Sequence, residues 1–374
     1  MAKNWIMKRW VVVLLGAGIF HAGMAQGATQ IPLSFLPPGT QLSFCGEPMP
    51  ITIEDVRERF EKEFLLITED RAQVLLWMKR SRRYLLQIEA MLKEKNMPLD
   101  LQYVPIVESS LLPHAGSNKG AVGFWQFIES SGKNFDLVIN SYIDERRNLA
   151  ASTSAAIRYF SMLYEKFGSW SLAVAAYNMG EGALISYMYE QGVRDYYKLS
   201  LSLETQRFLF RIVCVKLIFS NPAAFGFALT DDEYYPPLEG DCIPVRTEKE
   251  TPVRIIAEAA GTYFKVIKDL NPEIIGNNLP PGEYNLFIPK DSAQYFDFRF
   301  KTLTSNLHAG KKEQVYVVKK GDSLSAIAGK FKVPLSSVTA WNRLEKRRPI
   351  RPGDRLVVFQ PELEAWGRTE SAEN

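Results

Sequence analysis

Residues 253–289 and 324–360 repeat each other at an offset of 71 without a gap. Ile256-Ala257 pairs with Ile327-Ala328, Asn271 with Asn342, Pro281-Gly282 with Pro352-Gly353, and Leu286-Phe287 with Val357-Val358. Each copy reads as short strand, helix, helix, Pro-Gly turn, short strand, a βααβ unit. In the second copy the strands are Val315 to Val318 and Leu356 to Phe359. A unit of about 45 residues carries only a small core. The C-terminal third is therefore expected to form two small modules, at 245–290 and 314–360, and the large core must lie before them. Two similar surfaces on one chain favour an extended, repetitive ligand bound by avidity. Between the copies, residues 291–313 are polar (Asp291, Ser292, Lys301, Ser305, Asn306, Gly310) and read as a linker. Residues 361–374 form a tail.

The second copy is basic, with twelve Lys/Arg against four Asp/Glu from Lys311 to Gln360. The whole chain is nearly balanced, at a net charge of +3 over 374 residues. Nucleic acid is therefore not expected as a partner. Cys45, Cys214 and Cys242 can form at most one bridge. His21, His114 and His308 stand apart from other ligand types, so a metal site of the usual His/Cys kind is not expected.

Lys3, Lys8 and Arg9 precede the apolar run Trp10 to Phe20, and Ala22, Gly23 and Ala25 follow. This is the pattern of a secretory signal peptide, residues 1–25. The run is well short of the roughly 20 residues that span a bilayer. No cysteine lies near the cleavage region, so no lipid anchor is expected. The mature chain is expected to be exported to the periplasm without a transmembrane segment.

Residues 26–53 are rich in Pro and Gly and read as an irregular lead-in. Helical periodicity runs from Glu54 to Lys95, where Tyr84, Leu85, Ile88, Met91 and Leu92 make one stripe. Pro98 opens a further helix that Pro105 must kink or break. Residues 113–123 are loop. Ala156, Phe160, Leu163, Tyr164 and Phe167 form another amphipathic helix, a third starts at about Ser171, and Glu204 to Phe219 is a fourth. Residues 54–230 are thus expected to form one helical domain, with its motifs between 95 and 190.

Glu108 ends an apolar, Pro-interrupted helix. A carboxyl there can face a cleft, where desolvation raises its pKa and keeps a general acid protonated near neutral pH. Nearby stand amides (Gln126, Asn178), which suit hydroxyl and N-acetyl groups, and aromatics (Trp125, Tyr177), which suit sugar faces.

Val107-Glu108-Ser109-Ser110, Gly120-Ala121-Val122-Gly123-Phe124-Trp125-Gln126, Asp144-Glu145-Arg146-Arg147 and Ala175-Ala176-Tyr177-Asn178-Met179-Gly180-Glu181-Gly182 together resemble the soluble lytic transglycosylase family, related in fold to goose-type lysozyme. The second repeat, with Tyr316-Val317-Val318-Lys319-Lys320-Gly321-Asp322-Ser323-Leu324, resembles a LysM module. The first resembles one only through the repeat. The resemblance implies an α+β multidomain chain: a mostly α, lysozyme-like catalytic domain followed by βααβ LysM-type modules. It implies peptidoglycan glycan strands as substrate and partner, cleaved between MurNAc and GlcNAc, with no metal or cofactor. It also implies roles: Glu108 as catalytic acid and base, Ser117 orienting it, Gln126, Tyr177 and Asn178 binding substrate, and Gly321, Asp322 and Asn342 binding glycan in the LysM module. Two positions depart from the family. Phe208 stands where a Tyr is usual, and Asn148 where an Asp is common.

Ordinary glycosidases use two carboxylates. Glu129, Asp136, Asp144 and Glu181 are near in sequence, but none holds a motif position as a catalytic partner. With one carboxyl, the substrate must supply the missing nucleophile, and the MurNAc C6 hydroxyl is expected to take that part and close a 1,6-anhydro ring. The alternatives are a lysozyme-like hydrolase with a second carboxylate, and an inactive wall-binding LysM protein.

Overall fold

The computed structural model describes residues 41–309 and 313–359, with breaks at 332, 334, 336–337, 340–341, 343 and 345–349. The expected signal peptide, the start of the lead-in and the tail lie outside the described residues. So does most of the second repeat's second helix.

The described chain opens on a hairpin, not on irregular structure. Strands β1 (Ser43–Phe44) and β2 (Glu47–Pro48) pair antiparallel. Cys45 and Gly46 between them have φ of 51° and 84°. That is the two-residue turn whose twist suits paired strands. Cysteine in place of the usual Asn or Asp hid it in the sequence. Leu42, Phe44 and Met49 are buried in the main core.

The helical domain follows, as α1 (Glu54–Glu69), α2 (Arg71–Glu94), α3 (Val104–Ser109), α4 (Glu129–Asn134), α5 (Leu149–Phe167), α6 (Trp170–Met179), α7 (Glu181–Gln191) and α8 (Leu203–Ser220). A short 3₁₀ turn over Leu99–Tyr103 precedes α3. Pro105 thus falls in the first turn of a new helix, where its missing N–H removes no helical bond. Gly168, at φ 66°, ends α5 in the left-handed conformation. Helix α6 is buried from Trp170 to Ala176 and packs against both α5 and α8. A helix apolar all round is the centre of a domain. Its N-terminus is capped from far away in sequence. Glu47 of the hairpin accepts from Trp170 N at 2.6 Å, Ser171 N at 3.2 Å and Ser169 Oγ at 3.0 Å. The carboxylate satisfies the free N–H groups and complements the helix dipole.

The chain leaves α8 strapped to α2. Arg71 donates to Gly226 O at 2.7 Å, Arg82 to Asp231 O at 2.7 Å, and Arg83 to Pro236 O at 3.1 Å. Arg71 also lies over the Phe227 ring, Arg82 over Tyr234, and Arg83 over Tyr235.

The first repeat comprises β3 (Gly240–Thr247), β4 (Thr251–Pro252), α9 (Val253–Ala259), α10 (Phe264–Leu270), β5 (Asn278–Leu279) and β6 (Gly282–Pro289). β3 and β6 pair antiparallel from Gly240↔Pro289 to Thr247↔Gly282. The stretch expected as a linker is largely helix α11 (Ala293–Ala309). Phe296 and Phe300, at i and i+4, stack with centroids 5.4 Å apart and are buried in the first repeat's own core. The second repeat contributes β7 (Glu313–Val317), α12 (Leu324–Lys330) and β8 (Arg355–Phe359), around a third apolar cluster.

The two copies are not matched at 71 throughout. Asn271 Nδ2 donates to Phe287 O, whereas Asn342 Nδ2 donates to Val357 O, both in the closing strand. Leu286 and Ile288 are buried in the first copy, Leu356 and Val358 in the second. The closing strands therefore correspond at an offset of 70, one residue having been lost after the Pro-Gly turn. A slip of one would turn the apolar faces outward.

Candidate active site

Glu108 lies at the end of α3, whose other residues, Val104 to Val107 and Ser109, are all buried. The chain after it is bent hard. Ser110 and Leu111 have φ of 55° and 58°, a left-handed conformation rare for a residue as bulky as leucine. Donors on α2 hold this bend. Trp77 Nε1 donates to Ser110 Oγ at 2.9 Å, Gln73 Nε2 to the same oxygen at 3.2 Å, and Arg80 to Ser110 O at 3.1 Å. Ser109 Oγ donates to Pro105 O and to Phe124 O, each at 2.8 Å. The carboxyl thus hangs from a short helix fixed on one side by α2 and on the other by the glycine-rich loop.

Burial pushes the Glu108 carboxyl up to about 8. The Arg211 guanidinium opposes this and the Glu204 carboxylate reinforces it, both from α8. No hydrogen bond from a described residue holds the charged form. The result is a protonated carboxyl at neutral pH, poised as a general acid.

The expected companions fall into different tasks. Tyr177, on α6, lies in the field of Glu108 and is itself driven up, first by burial and then by that charge. Its hydroxyl donates to Trp125 O at 2.6 Å, and its ring stacks on Phe160 at 4.4 Å. Asn178 Oδ1 accepts from Thr205 Oγ1 of α8 at 2.8 Å. Gln126 has φ 51°, and its Nε2 donates to Gly123 O at 2.8 Å and Ala115 O at 3.2 Å. Its donor end closes its own loop. Ser117 is exposed and accepts from Lys119 N and Ala121 N, so its hydroxyl caps its own loop. Ser110 carries the bonds that fix the segment behind Glu108. Phe208 is buried in the core. Asn148 caps α5, its Oδ1 accepting from Ala151 N at 2.9 Å.

The four other carboxylates are engaged elsewhere: Glu129 with Lys133, Asp136 with Arg158, Asp144 with Arg146, and Glu181 with Lys166. Sequence reasoning missed the carboxylate that does share the field of Glu108. Glu204 is exposed and pairs with Lys119 at 3.2 Å. It also missed Gln73, Trp77 and Arg80, whose spacing of i, i+4, i+7 on α2 is the signal that could have found them.

In the second repeat, Gly321 has φ 94°, which only glycine adopts without strain. Asp322 Oδ2 accepts from Tyr316 Oη and Lys319 N. Asn342 ties Val338 to β8, donating to Val338 O and Val357 O and accepting from Val357 N. Asp322 and Asn342 thus serve the module's own frame.

Residues 86–200 match the model of the Transglycosylase SLT domain, and residues 316–359 that of the LysM domain. Membrane-bound lytic murein transglycosylase D of Escherichia coli is 30% identical over 342 residues, covering 87% of this chain and 74% of that protein. This chain belongs to the lytic murein transglycosylase D family. The SLT match falls within the helical domain and the LysM match on the second repeat. N-acetylmuramoyl-L-alanine amidase XlyA of Bacillus subtilis is 42% identical over 52 residues, 14% of this chain and 18% of that one. Among solved structures, the 70 kDa soluble lytic transglycosylase of Escherichia coli aligns at 17% identity and a TM-score of 0.29, covering 38% of this chain and 25% of that one. Among the described residues, no helix is long and apolar enough to cross a membrane.

Proposed function

We propose that this chain is a peptidoglycan lytic transglycosylase in which Glu108 acts first as acid and then as base on the MurNAc–GlcNAc β-1,4 bond. The observation that carries this reading is the half-buried Glu108 carboxyl on a clamped helix end, pushed up by burial to about 8 so that it keeps its proton at neutral pH. The proton passes to the glycosidic oxygen as the bond to C1 breaks. The resulting carboxylate takes the proton of the MurNAc C6 hydroxyl, whose oxygen bonds C1 and closes the 1,6-anhydro ring. The N-acetyl group stabilises the charge at C1 meanwhile, as in substrate-assisted glycosidases. Gln126, Tyr177 and Asn178 line the sugar subsite, the acceptor end of Gln126 being the part not used in closing its loop. The second repeat binds glycan and raises the local concentration of substrate.

The basic start, apolar run and small residues of 1–25 support export to the periplasmic wall. Cys45 is built into the opening hairpin, its amide donating to Asp100 at 2.6 Å. This supports a mature chain without a lipid on that residue.

Glu204 favours a second reading, a hydrolase in which that carboxylate activates water. Reaction in oxygen-18 water separates the two. The transglycosylase releases fragments ending in 1,6-anhydro-MurNAc, one water lighter, without label and resistant to borohydride. Heavy oxygen at the new MurNAc ends would make the enzyme a hydrolase.

A further inference from the structure

The first repeat is joined to the helical domain as closely as a part of it. Asp144 N donates to Glu273 O at 2.8 Å, and Tyr142 O accepts from Ile275 N at 2.9 Å and Gly276 N at 3.1 Å. Ile143 of the helical domain is buried inside the first repeat's core beside Ile274, with which it forms a β-bridge. A side chain at Gly276 would place its Cβ 3.3 Å from the Tyr142 ring and 3.4 Å from its Cα. The strap along α2 delivers the repeat to this position.

The second repeat is not built to do the same. Ile274-Ile275-Gly276 correspond in it to Glu345-Lys346-Arg347, at the offset of 71 that holds between Asn271/Asn342 and the Pro-Gly turn. Apolar docking residues are replaced by three charges, whose burial against Ile143 would be costly.

The docked loop leads directly to the proposed substrate turn. Asp144 is buried and grips Arg146 with both carboxylate oxygens, each at 2.8 Å. The remaining arm of the guanidinium donates to Gly120 O at 3.0 Å and Phe127 O at 3.1 Å. These carbonyls bracket the turn that holds Gln126. Gly123 in the same turn lies so close that a Cβ there would be 1.9 Å from Arg146 O. The planar fork of arginine reaches all three partners at once, which a lysine cannot.

We propose that the first repeat is a brace of the catalytic domain, and that Arg146 is the positioning residue through which its docking on Tyr142–Asp144 fixes the Gln126 turn. The proposal rests on the reading of Gln126 as a substrate-binding residue only for its kinetic consequence.

The test uses the full-length chain with Gly276→Val, which wedges the interface, and Arg146→Lys, which keeps the charge but loses the fork. The lysine variant covers the case in which the valine variant fails to fold. Amide hydrogen exchange over residues 115–127 should accelerate at least tenfold in both. KM for soluble glycan should rise about fivefold or more with a smaller change in kcat, and sedimentation with insoluble peptidoglycan should stay as in the parent. Parental exchange over 115–127 in a Gly276→Val chain whose amides at positions 275 and 276 have lost protection would overturn the proposal. So would parental exchange in a folded Arg146→Lys chain. The exchange readout needs no catalysis. A parent that cleaves no glycan but shows the coupled exchange would refute the proposed function and leave the brace standing.

Discussion

Trp77 and Ser110 are joined by a 2.9 Å hydrogen bond from the indole N–H to the hydroxyl, two residues beyond Glu108. The donor comes from a helix 33 positions earlier in the chain. It holds Ser110 in a left-handed conformation that its side chain does not favour, and so fixes the direction in which α3 presents its carboxyl.

Trp77→Phe keeps the ring in the core and removes the donor. Loss of one such bond costs about 1 kcal/mol. The midpoint of denaturation should fall accordingly. The turnover number should drop about tenfold, more than so small a loss of stability explains, because the acid is no longer aimed. Steady-state kinetics and urea titration on the same preparation measure both.

Glu108→Gln should lower lytic activity by ~10²–10⁴-fold, the range of general acid–base catalysis. It should also stabilise the fold in alkali. The carboxyl titrates near 4.5 when unfolded and at about 8 when folded. Below 4.5 both states are protonated and it costs nothing. As pH rises from 4.5 to about 8, the unfolded state ionises first and the parent loses stability. Each unit of that interval is worth ~1.4 kcal/mol. The variant lacks this loss. Melting curves at pH 4 and pH 9 should therefore diverge, with the variant ahead by up to a few kcal/mol at pH 9. Parallel curves would contradict the buried acid.

Two substitutions on α8 should move the alkaline limb of the pH–rate profile in opposite directions. Glu204 raises the Glu108 pKa and Arg211 lowers it. Glu204→Gln should shift the limb to lower pH, since the acid ionises earlier. Arg211→Gln should shift it higher. Profiles of kcat/KM on a soluble glycan report the free enzyme. Shifts of the same sign would show that these residues do not act on the acid through charge.

Deleting residues 311–374 should weaken sedimentation with insoluble peptidoglycan and leave cleavage of short soluble glycans near the parental rate. The first repeat stays in place in this truncation. Equal pull-down by both chains would assign the second repeat another task.

The helices with wide apolar stripes were legible in the sequence. α2 shows Ile88 and Leu92 and α5 shows Phe160 and Leu163, and all four are buried. The segments around Glu108, Tyr177 and Asn178 were legible as a family pattern, and they fall within the stretch that matches the SLT domain. Elements with thin signals were not. α7 buries only Leu184 and Met188. In α11 the pair Phe296 and Phe300 is outnumbered by polar residues that read as a linker. The hairpin depends on positive φ at a cysteine, which composition does not announce. Relations across the fold lay beyond reach for a different reason. Glu204, Arg211 and Trp77 come to the acid only when α2, α3 and α8 pack, and no local periodicity encodes that meeting.

The hairpin carboxylate of Glu47 sets an order of assembly. Its bonds to Trp170 and Ser171 close a span of more than 120 residues. A chain made from its N-terminus presents Glu47 early and its partners late. Until both are present, α6 lacks this cap, and the helix that carries Tyr177 and Asn178 stays short of its final support. That helix is completed only after most of the helical domain has been made.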